Sequence, residues 1–469
     1  MTLAKAQVEQ ILDEDTSSTV GVLVQVAAPE QVDVPVDSTI GLSAREALPA
    51  RVRSMLRGRA VPGVPRLPAK PIDTIRQENE AALAQVLESD PARRSQVGAA
   101  FWTSRTAYLE MRRDDLARLL AEVPGVVEVH PNHRLALPPV AKTRELPASV
   151  REDSAASWGI TASGALSVWG AYGARGAGVT VGVLDTGVDA THPDLEGKVA
   201  KWAEFDARGE QVADSRPHDS KDHGTHVCGT VAGGDASGQW IGMAPEAKLA
   251  VGLVLKGGSG TAQQVLAGIQ WAVEQKVDVL SMSLSAAVFD HEAPNVFSAA
   301  FLTALRAGIP VVAAIGNRGS QTGASTGSDI FSLAVGATDH RDLPAGFSGG
   351  QTQVVTESEL IRPEHLPLIY TKPDLSAPGV DVVSAVPDAA WEAFNGTSMA
   401  TPHVTGAMAL LLSAVPSIRE LSGPDRAIFL QDMISGSVDE LGEAGKDSRY
   451  GFGRLNVLRA IALARRSQH

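Results

Sequence analysis

In the second half of the chain the apolar positions run together instead of alternating. "VTVGVL" (179–184), "AKLAVGLVL" (247–255), "VDVLSMSL" (277–284), "IPVVAAIG" (309–316) and "FSLAVGATD" (331–339) are short runs with few polar breaks. Strands of this kind are buried on both faces. Between them lie longer stretches with helical periodicity, "TAQQVLAGIQWAVEQ" and "VFSAAFLTALRAG". Apolar strands alternating with helices predict an α/β fold, a doubly wound, mostly parallel sheet with helices on both faces and right-handed crossovers.

The first 138 residues read differently. "TVGVLVQVAA" predicts a strand, and "DTIRQENEAALAQVLES" a helix with Asp73 as its cap. "AAFWTSRTAYLEMR" reads as one strand, "RDDLARLLAEVPG" as an amphipathic helix and "VVEVHPNHRLAL" as a further strand. Residues 1–138 are therefore expected to form a small α+β unit, interrupted by the Pro/Arg-rich passage "LPARVRSMLRGRAVPGVPRLPAKP". Residues 139–157 are polar, charged and broken by proline, which predicts an exposed linker. The parallel-sheet pattern occupies 158–469.

Composition narrows the function classes. The 469-residue chain carries a formal net charge of −13, which argues against a nucleic-acid partner despite Arg51, Arg53, Arg57 and Arg59. The single cysteine, Cys228, allows no internal disulfide and reads as a small buried apolar residue. The polar start "MTLAKAQVEQILDEDTSSTV" is no secretory signal, and "AMALLL" is too short to span a bilayer. The expectation is a soluble, cytoplasmic protein with no membrane partner.

Ligands of such sheets bind beyond the carboxyl ends of the strands, so the residues there carry the chemistry. Asp185 follows "VTVGVL", and no glycine fingerprint of a dinucleotide site accompanies it. His223 and His226 stand three apart in "HGTHVCG", whereas the zinc helix motif needs four and a glutamate; no metal is expected there. His223, nearer the turn, is the candidate base. Asn317 follows "IPVVAAI" beside Gly316 and has an amide to donate into a cleft. In "NGTSMATPHVTG", Pro402 fits only near a first helical turn, so a helix should start close to Ser398. Each residue alone has a bland explanation as a cap or turn residue. Together they supply a nucleophile, a base, an orienting carboxylate and an oxyanion donor, in the order Asp, His, Ser.

"VTVGVLDTGVDATHPDL", "HGTHVCGTVAG", "AAIGNRG" and "NGTSMATPHVTGAMALL" resemble the signature blocks of the subtilisin-like serine proteases (subtilases), together with "LSAPGV" at 375–380 and "YGFGRLNV" at 450–457. The resemblance spans roughly Trp158 to Ala464. It implies a serine endopeptidase acting on protein or peptide substrates through an acyl-enzyme. Ser398 would be the nucleophile, His223 the base, Asp185 its orienting carboxylate and Asn317 the oxyanion donor. Loss of the Asn317 donor would raise the barrier by about 3 kcal/mol, a magnitude carried over from the family.

By the same resemblance, substrate would add as a strand against Gly258, Ser259 and Gly260 on one side and Ser283, Leu284 and Ser285 on the other, with Gly316 and Arg318 nearby. Ser285 and Ala286 stand where many members carry glycine; with Arg318 they imply a tighter pocket tolerant of acidic groups. No cofactor is required by the resemblance. Calcium is an open possibility through Asp194, although Ala236 replaces a usual ligand and Asp235 would have to substitute. The segment "WTSRTAYLEMRRDDLARLLAEVPGVVEVHPNHRLAL" resembles the family's propeptide, implying an intramolecular chaperone and inhibitor. Pro138 and Pro139 make poor cleavage points, so self-processing is expected beyond them in the linker, the alternative being a pro-region that stays attached and regulates the enzyme. The rival readings are a catalytically silent or partner-regulated binding module on the same fold, and a dinucleotide enzyme, which the missing glycines disfavour.

Overall fold

A computed structural model describes residues 3–14, 18–28, 30–32, 70–143, 155–284, 287–288, 295–421 and 423–466. The Pro/Arg-rich passage up to residue 69 and most of the expected linker, 144–154, lie outside the described residues.

Seven strands form the central sheet: β7 (Thr180–Asp185), β8 (Val199–Glu204), β9 (Lys248–Leu253), β11 (Val279–Met282), β12 (Val311–Ala314), β13 (Ser332–Thr338) and β14 (Leu375–Pro378). Their order is β14-β13-β12-β11-β7-β9-β8 and every pairing is parallel. Successive side chains feed opposite faces. Val181, Val183, Val279 and Val312 join one apolar cluster, with residues of helices α4 (His223–Ala232) and α7 (Thr397–Ala414). Leu184, Leu280, Val311 and Ala313 join the other, with helices α5 (Ala262–Glu274) and α6 (Ser298–Arg306). Burial on both faces is why these strands read as continuous apolar runs. Helix α5 begins as its sequence allows: Thr261 caps it, and Gln264 completes a capping box.

The N-terminal unit packs helices α1 (Leu3–Glu14) and α3 (Arg113–Glu122), with α2 (Ile72–Leu87), on an antiparallel sheet. Its strands are β1 (Thr19–Val26), β2 (Gln96–Phe101), β3 (Thr106–Arg112) and β4 (Val126–Pro131), in the order β2-β3-β1-β4. Three expectations need correction. Asp73 lies in the first turn of α2, whose cap position is Pro71. The stretch read as one strand at 99–112 is a hairpin, turned at Trp102–Arg105 where Arg105 takes a φ of 54°. The last predicted strand breaks at Asn132 and His133. Its second part, β5 (Arg134–Ala136), leaves this sheet and pairs antiparallel with β10 (Ser259–Thr261) of the larger unit.

The expected linker also changes character. Residues Ala141–Thr143 form β6, which pairs antiparallel with β16 (Ala390–Asn395). Strand β16 in turn pairs with β15 (Val382–Val386). No helix among the described residues is long and apolar enough to cross a membrane.

Two imidazoles sit wholly inside helices α4 and α7. His226 Nε2 contacts the carbonyls of Val382 and Glu392 at 2.9 and 3.2 Å, and His403 Nδ1 contacts that of Met399 at 2.8 Å. Burial pushes His226 down to about 3, with nearby His223 adding to the effect, and His403 down to about 4. Both stay neutral in the folded protein, while the unfolded chain protonates them below about pH 6.5. The unfolded state thus binds more protons as pH falls from about 6.5 towards 4, and stability is lost in that window. Thermal melting of the protein is expected to show a midpoint level above pH 7 that falls steadily below pH 6; a flat midpoint to pH 4.5 would contradict this.

Candidate active site

Asp185 ends β7 and is fully buried. Its Oδ1 accepts from the Thr186 N–H at 2.7 Å and lies 2.8 Å from His223 Nδ1, while Oδ2 has no hydrogen-bond partner among the described residues. With an ionised carboxylate there, Nδ1 carries the proton and Nε2 is left as the free lone pair. His223 Nε2 is buried and has no hydrogen-bond partner among the described residues.

His223 is held by the way α4 begins. Gly224 packs so closely that a Cβ there would stand 2.1 Å from the Gly187 carbonyl oxygen. The free N–H groups of the first turn are satisfied from outside the helix. Gly224 N donates to Thr186 Oγ1, and Thr225 N to Asp219 Oδ2 at 2.8 Å. Asp219 also takes the hydroxyls of Thr186 and Thr225. A carboxylate at a helix N-terminus is favourably placed. Asp219 was missed in the sequence, where an Asp four residues before the candidate base has no distinguishing pattern.

Ser398 is the second residue of α7, whose cap position is Gly396, so Ser398 is no cap. Pro402 lies in the second turn, later than the sequence implied. Lacking an N–H, it leaves the Ser398 carbonyl without its usual intrahelical donor. Ser283 Oγ fills that role at 3.0 Å. In return, Ser398 Oγ donates to the Ser283 carbonyl at 3.2 Å. Beside it, Asn317 Oδ1 accepts from Thr397 N at 2.9 Å and Thr397 Oγ1 at 2.7 Å. That fixes the carboxamide with its Nδ2 pointing outward, where it donates to the Pro139 carbonyl at 2.8 Å. Thr397 was not singled out beforehand, yet it sets which end of Asn317 faces the groove.

The groove is filled by the chain itself. Arg134–Ala136 pairs with Ser259–Thr261, and Leu137 N donates to the Gly258 carbonyl at 3.0 Å. Leu135 is buried in the cluster that holds Leu255 and Ala262. Pro139 meets Asn317, Val140 approaches Gly396, and Ala141 and Lys142 pair with Asn395 and Phe394. A Cβ on Gly396 would stand 3.0 Å from Asn317 Nδ2, so a side chain there would crowd this crossing. Lys142 then pairs with Asp222, the residue before His223. One short segment thus runs from Asn317 past Gly396 to the start of α4, and α4 and α7 pack on each other. Ser398 and His223 share one end of the sheet.

The other expected positions fall as follows. Gly258, Ser259 and Gly260 touch the segment, and Ser283 and buried Leu284 close β11. Gly316 takes a φ of 105°, and Arg318 is exposed. Ser285 and Ala286 lie outside the described residues. Cys228 is buried, and its thiol is pushed up well above its usual value by burial and then by the Asp185 and Asp219 carboxylates.

A sequence model of the subtilase family matches residues 176–453, more than half of the chain. Subtilisin DY of Bacillus licheniformis is 36% identical over 292 residues, covering 61% of this chain and 92% of that protein. The major intracellular serine protease of Bacillus subtilis (strain 168) is 36% identical over 263 residues, 54% of this chain and 74% of the relative. An intracellular serine protease of Paenibacillus polymyxa is 37% identical over 262 residues, 54% of this chain and 72% of the relative.

Asp194, the possible calcium ligand, is already engaged by N–H donors. Asp194 is buried, and both carboxylate oxygens face N–H donors: Oδ1 accepts from Ala236 N at 2.7 Å, and Oδ2 from Trp391 Nε1 at 2.6 Å. A calcium site needs several converging oxygens. Among the described residues no group of three or more His, Cys, Asp or Glu side chains is arranged to hold a metal. Excess EDTA is therefore expected to leave the melting midpoint unchanged, whereas Trp391→Phe, which strands the buried Asp194 oxygen, should destabilise by about 1–3 kcal/mol. A midpoint that rises with calcium and falls with chelator would contradict this assignment.

Proposed function

Because the chain belongs to the subtilase family and is a serine endopeptidase, we propose that Asp185, His223, Ser398 and Asn317 carry its chemistry, and that the N-terminal unit with its tail is an inhibitory pro-region. In this reading His223 Nε2 takes the Ser398 proton as Oγ attacks a peptide carbonyl, and Asp185 holds the imidazole tautomer. Asn317 Nδ2 stabilises the oxyanion, and water releases the acyl-enzyme after the amine has left.

The observation that carries the reading is the Asn317 contact. An amide pinned by Thr397 points its free N–H at a peptide carbonyl of an extended segment, and that segment is added as a strand to Ser259–Thr261. Substrates are expected to bind the same way, by strand addition.

The tail also explains restraint. With the tail's Pro139 carbonyl on Asn317, the position a substrate carbonyl would take is occupied, and the Ser398 hydroxyl donates to the Ser283 carbonyl. The rival, a silent binding module, lacks a motivating defect, since all four chemical residues are present.

Processing is expected within 139–157. Intact-mass measurement should give a shortened wild-type protein and an unshortened Ser398→Ala variant. Equal, full-length masses for both would remove self-processing from the account.

A further inference from the structure

Beyond Asn317 the segment enters a contact that the reaction itself does not need. Lys142 Nζ lies 2.8 Å from Asp222 Oδ2 and 2.5 Å from Glu392 Oε2. It also stands 4.9 Å from the centre of the Phe394 ring, which stacks on His226 at 4.3 Å. The two carboxylates come from different elements, the start of α4 and strand β16. Asp222 occupies the cap position of α4, where Asp usually bonds the helix N–H groups, yet it makes no side-chain cap bond. Asp219 and Thr186 serve that end instead, which leaves the Asp222 carboxylate for Lys142.

Counting along the segment, the Pro139 carbonyl sits on Asn317, and Lys142 is the third residue after it. We propose that Asp222, Glu392 and Phe394 form a subsite that selects a basic side chain three residues beyond the residue whose carbonyl is held by Asn317. This rests on the proposed hydrolytic reading of the groove and names a class of substrate for it: segments with Lys or Arg at that place. In the intact chain the same subsite clamps the outgoing half of the tail through Lys142.

Lys142 is half exposed, so each ion pair is screened and contributes modestly. Two such pairs plus an aromatic face amount to a preference of roughly five- to tenfold, weakened by salt. Arginine should serve as well as lysine, because its planar cation suits both a carboxylate pair and a ring face.

Two measurements test this. In the full-length Ser398→Ala protein, hydrogen exchange of the stretch 140–143 should quicken roughly five- to tenfold in Lys142→Glu and in Glu392→Lys, by the same reasoning. Lys142→Arg should leave it slow, and the double charge swap Lys142→Glu/Glu392→Lys should restore part of the protection. Exchange at 135–137, which rests on Gly258–Thr261, should not move. With the wild-type enzyme, quenched peptides differing only at the third position after the cleaved bond should be cut fastest with Lys or Arg and slowest with Glu. Glu392→Lys should reverse that order, and high salt should flatten it. Unchanged exchange in both single variants, or cleavage indifferent to that position, overturns the subsite. Failure to cleave any peptide, with the exchange results as expected, instead counts against the hydrolytic reading and removes the subsite's role in substrate choice with it.

Discussion

The site is organised around one side chain that cannot turn. Asn317 Oδ1 accepts from the backbone N–H and the hydroxyl of Thr397, so its Nδ2 has a single direction left, into the groove. The Gly316 N–H, donating to the same Thr397 hydroxyl, ties the strand end to the helix start. A preorganised donor stabilises developing charge because no reorganisation accompanies the reaction. Ser398 follows Thr397, so the interaction that fixes the amide also fixes where the Ser398 hydroxyl emerges.

The same economy appears at α4. The helix start is held by Asp219 and Thr186, and Asp185 Oδ1 is shared between Thr186 N and His223 Nδ1. Small residues make this possible, since Gly224 lets the helix rest against the turn that follows β7. Buried Ser283 links the two halves, holding the Ser398 carbonyl that Pro402 leaves without a helical donor. The groove that results has an apolar place for Leu135 at one end and an acidic one for Lys142 at the other.

The parallel sheet was legible because both-face burial leaves continuous apolar runs, and the positions of Asp185, His223, Asn317 and Ser398 followed from strand ends and motif blocks. What was hidden was long-range. That Arg134–Ala136 abandons its neighbours for Ser259–Thr261 depends on partners more than a hundred residues away. Propensity at 141–143 is weak, and β6 exists because β16 offers an edge. Ser398, which taken alone could have been a cap, lies inside α7, whose cap position is Gly396. Asp194 looked like a cation ligand because only the fold brings the Trp391 indole to it. Lys142 gave no signal within a charged stretch, since its partners at 222 and 392 are remote in sequence.

The central claim is that Ser398 is a nucleophile activated by His223 and shielded by the chain's own 134–143 segment. A fluorophosphonate probe tests this most directly. The account predicts a single adduct on Ser398, formed faster once the segment has been released and absent in His223→Ala. Labelling that ignores the His223 substitution, or no adduct on Ser398 even after the segment has gone, would contradict it.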